Sequence, residues 1–100
     1  MVKITAVCGM GLGSGLLVKM GIERVLERNG YTYKDFKVEV ADISTAKATF
    51  SDIFVTTKEF AERLEGGKAT IVLIQNLFNE KEIEGKLLEP FIRIYNLKKA

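Results

Sequence analysis

Histidine and tryptophan are absent from this chain, and cysteine and proline occur once each. Without histidine there is no Ser/His or Cys/His catalytic pair, no phosphohistidine and no Cys/His metal cluster, so metal and cofactor are both expected to be none. A single cysteine permits no internal disulfide, and a cytoplasmic setting suits it. An excess of charge of one sign is missing too. Fifteen Lys and Arg against 13 Asp and Glu leave a net charge of +2, too little to argue for nucleic acid or a membrane surface. The terminal pair Lys98-Lys99 reads as a frayed tail. No uncharged apolar run is long enough to span a bilayer. Lys3 and the uncharged stretch Ile4 to Val18 superficially resemble a signal-peptide core, but the four glycines inside it make a poor apolar helix. The 100 residues, 47% hydrophobic and 28% charged, are expected to form a single soluble domain, 1–100, with one core and no direct membrane insertion.

What the chain does have is glycine, concentrated in one place. Cys8-Gly9-Met10-Gly11-Leu12-Gly13-Ser14-Gly15 follows an apolar β-type run (Ile4, Ala6, Val7) and precedes a helix-like run from Leu16 to Leu26. Glycine at this density lets the backbone turn its N–H groups inward, and the following helix adds unpaired N–H groups and its positive dipole end. Such a loop is an anion nest with a thiol where the anion would sit. A lone cysteine is more often a small buried hydrophobe. At the lip of such a loop the amides favour first the thiolate and then a thiophosphate in its place, so Cys8 is expected to be reactive.

The remaining chain alternates strand and helix signals, which predicts an α/β fold: a three-layer α/β/α sandwich on a four-stranded parallel sheet, in the order 2-1-3-4. The first strand is expected at about Lys3 to Val7. The first helix is expected to start near Ser14 as N-cap and to stop at Asn29-Gly30, with Val18, Ile22, Val25 and Leu26 inward and Lys19, Glu23, Glu27 and Arg28 on a solvated face. Phe36 to Ala41 reads as the second strand, and Ser44 to Ala48 as a short, weak helix. Ile53 to Val55 reads as the third strand, leading into the capping-box pattern Thr56-Thr57-Lys58-Glu59 of a third helix. Phe60, Ala61 and Leu64 are its buried stripe, and Gly66-Gly67 closes it. Ala69 to Ile74 is a continuous apolar run, as for a strand covered on both faces. The last helix starts near Asn79 and turns Ile83, Leu87, Phe91 and Ile94 or Tyr95 inward, with a kink or break at Pro90. In such folds the site lies beyond the carboxyl ends of the strands at the switch point, where the Cys8 loop is.

Familiar phosphate motifs do not fit the loop. A P-loop needs lysine directly after its second glycine, and the first lysine here is Lys19. The dinucleotide fingerprint would need glycine at position 14, where Ser14 stands; Asp42 alone is a weak stand-in for a ribose-binding acid. Cysteine phosphatases use Cys-x5-Arg and an aspartate that protonates the leaving group. Here the arginine position is Ser14, and the one proline follows Glu89, so no Asp-Pro acid exists. Without a bidentate clamp or a general acid, water attack on phosphocysteine is slow, which suits a carrier more than a hydrolase.

The segment Ala6 to Ser14, followed by Leu16-Leu17-Val18-Lys19-Met20, resembles the active-site segment of the enzyme IIB proteins of the bacterial phosphoenolpyruvate-dependent sugar phosphotransferase system, and among them the L-ascorbate-type branch. Softer matches continue at Ala41-Asp42, Ser51-Asp52-Ile53, Asn76-Leu77 and Gly85 to Glu89. The resemblance implies that a IIA phosphohistidine donates to Cys8 and that a sugar bound by the membrane component IIC then accepts the group, L-ascorbate being the sugar implied. It places the phosphoryl oxygens on the amides of Gly9, Met10, Gly11, Leu12, Gly13, Ser14 and Gly15, with a possible donor in the Ser14 hydroxyl. One departure stands out: the family often carries a second hydroxyl residue after Ser14, where this chain has Gly15. Met10 and Leu12 are read either as anchors under the loop or as an apolar rim for partners. Thr56 and Thr57 are expected near the site, chiefly as helix caps, and Tyr31 and Tyr33 are turn aromatics without a role. A low-molecular-weight cysteine phosphatase, or an anion-binding module with an incidental cysteine, are the alternative readings.

Overall fold

In the computed structural model of this chain, residues 1–8, 12–64 and 66–99 are described, with the backbone alone at residues 12–14. Strands and helices alternate: β1 (Val2–Val7), α1 (Leu12–Arg28), β2 (Phe36–Ala41), α2 (Ile43–Lys47), β3 (Ile53–Thr56), α3 (Lys58–Leu64), β4 (Thr70–Leu73) and α4 (Glu80–Lys99). The four strands form one all-parallel sheet in the order β2-β1-β3-β4, as the alternation predicts. Val7 pairs with Ala41 on one side and with Thr56 on the other, so β1 is the strand from which the order runs both ways.

Strand alternation divides the core between two faces. Val2, Ile4, Ala6 and Cys8 join Ile53, Val55 and Val72 against α1 and α4, where Val18, Ile22, Val25, Leu26, Ile83, Leu87 and Phe91 are buried. Val7 and Phe54 face the other way, onto Ala46 of α2 and Leu64 of α3. The second cluster is much the smaller. At the outer edge β4 is not covered on both faces, since Leu73 is 48% exposed. An edge strand lacks a neighbour on one side, and Leu73 lines an open hollow beside the start of α3.

The helix ends follow the local chemistry with instructive exceptions. Gly30, at φ +93°, closes α1 with Gly30 N–H on the Glu27 carbonyl and Tyr31 N–H on the Leu26 carbonyl, a Schellman pair. Asn79 caps α4, its Oδ1 accepting from the N–H groups of Lys81 and Glu82. The other end of α1 departs from expectation: the helix opens at Leu12, so Ser14 is its third residue and not its N-cap. Pro90 does not break α4. Its missing N–H deprives the carbonyl of Lys86, an exposed position where water can bond it, while Leu87 and Phe91 hold the helix down on either side.

The lysine tail is not frayed. Lys98 Nζ lies 2.8 Å from Asp52 and 2.9 Å from the Met1 carbonyl, and Lys99 sits over the Tyr95 ring. Tyr31 likewise has a role, meeting Phe91 and Tyr95 edge-on at 4.7 and 5.2 Å, whereas Tyr33 is exposed. Among the described residues no helix is long and apolar enough to cross a membrane.

Candidate functional site at the carboxyl end of the sheet

Cys8 is the residue after β1. Its N–H still donates to the Ala41 carbonyl of β2 at 3.3 Å, and its side chain is only 8% exposed among the residues facing α1 and α4. Four residues, 8–11, carry the chain from β1 to α1. Of the expected cradle, Gly9, Met10 and Gly11 lie outside the described residues, and so does the choice between anchor and rim for Met10 and Leu12. Leu12, Gly13, Ser14 and Gly15 form the first turn of α1, whose N–H groups have no carbonyl to bond within the helix. That turn contains no acidic residue, so its positive end is not neutralised by its own side chains.

Gly15 explains the departure from the hydroxyl pattern. A Cβ placed there would lie 2.5 Å from Val40 Cγ1 of β2. Helix α1 approaches β2 too closely for any side chain at this position, serine or threonine included, unless Val40 gives way.

Across the switch point stands the end of β3. Thr56 Oγ1 donates to the Val7 carbonyl at 2.9 Å, tying the two strands together one residue before Cys8. Thr57 follows, and its carbonyl accepts the N–H groups of Phe60 and Ala61 as α3 begins. The capping-box pattern is not realised, however. Thr56 spends its hydroxyl on Val7, and Thr57 Oγ1 is buried without a hydrogen-bond partner among the described residues. The backbone carbonyl, and not a threonine hydroxyl, opens α3.

Asp42 ends β2 and caps α2, Oδ1 accepting from Thr45 N–H at 2.7 Å. That bond holds its carboxyl below the usual range and makes it the cap of α2. Sequence reading missed Glu82. Its two oxygens accept the N–H groups of Gln75 and Asn76, at 2.7 and 3.0 Å, and Lys86 Nζ at 2.7 Å. The Gln75 amide, then the Lys86 ammonium and the Asn76 amide, push its pKa down to about 2. Asn79-x-x-Glu82 is a capping-box pattern and was the available signal; the glutamate reaches past its own cap to pin the segment after β4. Beside that segment is a cavity of about 490 Å³, lined by Thr57, Lys58, Glu59, Leu73, Ile74, Gln75 and Lys86. Larger hollows lie elsewhere, along the outer edge of β2 and between α2 and α3, away from the cysteine.

Compared with known proteins, residues 3–89 match the family described as PTS system, Lactose/Cellobiose specific IIB subunit. The chain belongs to the phosphotransferase-system IIB family. The match begins in β1 and ends at Glu89 in α4, taking in Cys8 and the end of every strand. The IIB chain is 32% identical over 87 residues to the ascorbate-specific PTS system EIIB component of Mycoplasma pneumoniae, covering 84% of this chain and 88% of that relative. It is 26% identical over 88 residues to the ascorbate-specific EIIB components of Escherichia coli O157:H7 and Salmonella typhi, covering 88% of this chain and 87% of each relative. As a IIB protein it is a component of a phosphotransferase system.

Proposed function

We propose that this IIB protein, acting as a single domain over residues 1–100, relays a phosphoryl group from a IIA phosphohistidine to a sugar held by the membrane component IIC, with Cys8 as the carrier. In the first step the Cys8 thiolate attacks phosphorus. The S–P bond forms as the P–N bond breaks, and the imidazole leaves with the electron pair. In the second step a sugar hydroxyl oxygen attacks the same phosphorus. The O–P bond forms, the S–P bond breaks, the thiolate leaves with that pair, and the hydroxyl proton passes to water.

The observation that carries this reading is the position of the only cysteine, at the carboxyl end of the switch-point strand and four residues from a helix N-terminus without acidic side chains. Amides from Gly9 to Gly15 supply a negative phosphoryl group with donors and a favourable dipole. The absence of arginine at position 14 leaves the group without the clamp a phosphatase uses to speed its hydrolysis. The sugar assigned is L-ascorbate, on the names of these relatives, whereas the family description speaks of lactose and cellobiose. Taking phosphate from a soluble phosphoprotein places the protein in the cytoplasm.

Incubation with phosphoenolpyruvate and the upstream relay proteins is expected to load the parent protein stoichiometrically, with the phosphorus NMR signal of S-phosphocysteine. Cys8→Ser is expected to take up none while keeping its fold. Equal labelling of Cys8→Ser overturns the proposal. Formation of ascorbate phosphate on adding IIC membranes checks the sugar.

A further inference from the structure

We infer that the Thr57 hydroxyl belongs to the phosphoryl site, as a side-chain donor to a phosphoryl oxygen where position 15, a glycine packed against Val40, carries none. The inference rests on the reading of Cys8 as the phosphoryl carrier and adds to it a positioning residue from another strand.

Strand register puts the two groups side by side. Ile4 pairs with Ile53, Ala6 with Val55 and Val7 with Thr56, so Cys8 and Thr57 are the residues that follow the last pair of β1 and β3. Paired strands lie about 4.8 Å apart. Ile4, Ile53, Ala6, Val55 and Cys8 all turn toward α1 and α4, and Thr57 has the parity of Ile53 and Val55. Both side chains therefore leave the sheet on the same side, where the first turn of α1 begins.

The Thr57 hydroxyl is also unspent. Its neighbour Thr56 uses its own on the Val7 carbonyl, whereas Thr57 Oγ1 is buried and bonds no described group. A threonine preceding a helix ordinarily accepts from an N–H of the first turn, and this one does not. A buried hydroxyl left unbonded costs stability, and a donor kept in that state beside a nucleophile is matched by an anion that arrives later. The cavity it lines carries charge of both signs. Lys58 lies within 4 Å of no described carboxylate, while Lys86 is already paired with Glu82 and Glu59 stands at the rim. On the helix side, a second hydroxyl beside that of Ser14 would require Val40 to move, since a Cβ at position 15 meets its Cγ1 at 2.5 Å.

The test mixes phospho-IIA with the parent, Thr57→Val and Thr57→Ser, and measures by intact mass and phosphorus NMR how the phosphoryl group divides between IIA and Cys8. A lost hydrogen bond to a charged acceptor predicts that Thr57→Val shifts the division toward IIA by about tenfold or more. Thr57→Ser is expected to restore it to within a few fold. The unphosphorylated Thr57→Val protein is expected to melt no lower than the parent, since an unbonded hydroxyl has been replaced by a methyl group of the same shape. An unchanged division in Thr57→Val with a normally loaded parent overturns the inference alone, as does a Thr57→Ser protein as impaired as Thr57→Val. A parent that never takes phosphate from phospho-IIA brings down the proposed function and this inference with it.

Discussion

At the amino end of the sheet Asp52 accepts the Lys3 N–H at 2.8 Å and pairs with Lys98, which in turn donates to the Met1 carbonyl. Ser51 Oγ accepts the Thr5 hydroxyl at 3.0 Å and lies within hydrogen-bond distance of the Lys3 and Ile53 carbonyls. Asp35 accepts the Thr32 N–H and also the Tyr95 hydroxyl, which together hold its carboxyl below the usual range, while the bond to Asp35 raises the Tyr95 phenol. At the carboxyl end the first-turn N–H groups of α1 have no partner within the helix and the Thr57 hydroxyl has none among the described residues. One end bonds its polar groups to itself. The other, among the described residues, leaves the Thr57 hydroxyl without a partner one strand away from the thiol.

If the two ends are separable, damage to the closed one costs stability and leaves phosphoryl uptake intact. The largest loss is expected from Phe91→Ala. Phe91 is fully buried, with Tyr31 edge-on and Tyr95 stacked against it. Removing its ring is expected to cost about 3–5 kcal/mol in urea unfolding, with Cys8 still loaded to completion below the unfolding transition. Loading that fails while the fold persists would show that the packing of α4 reaches the site and that the comparison is too simple.

Asp52→Ala is a milder test of the same end. It strips the Lys3 amide and the Lys98 ammonium of a shared acceptor that is 11% exposed, and about 1–3 kcal/mol is expected in the same measurement. Hydrogen exchange should quicken at the last turn of α4 and not at the first turn of α1. An exchange change confined to α1 would contradict it.

The contrast between the ends also decided what could be read from residues alone. The strand runs, the inward stripe of α4 and the Gly30 stop depend on neighbours a few residues away, and these were legible. Glycine density and a following helix, both local facts, also point to the Cys8 loop, whose residues 9–11 lie outside the described ones. The lysine tail was misread because its partners, Met1 and Asp52, lie at the far end of the chain and in its middle. Thr56 and Thr57 looked like a cap because the pattern is local, while the Val7 carbonyl that claims Thr56 belongs to another strand. Pro90 read as a kink or break because propensity ignores that Leu87 and Phe91, buried on either side of it, hold α4 to the sheet.

Glu82 is the charge that the open end does satisfy, and it offers the smallest effect. Its carboxyl titrates at about 2 in the folded protein against an ordinary 4.5, chiefly through the Gln75 amide. A depressed carboxyl adds stability that is complete above its ordinary pKa and is lost as pH falls through the folded value. Stability attributable to Glu82 should therefore fade between pH 4.5 and about 2. Asp42, Glu39, Asp35 and Glu80 are lowered as well, so the parent curve alone does not isolate it. The difference between parent and Glu82→Gln does. Glutamine is the weaker acceptor for the two amides and no partner for Lys86, so the variant should unfold earlier at neutral pH and converge on the parent as acid is added. Curves that stay parallel down to about pH 2 would mean that Glu82 carries no linked proton. Convergence would show that the segment lining the Thr57 cavity is held by a charge.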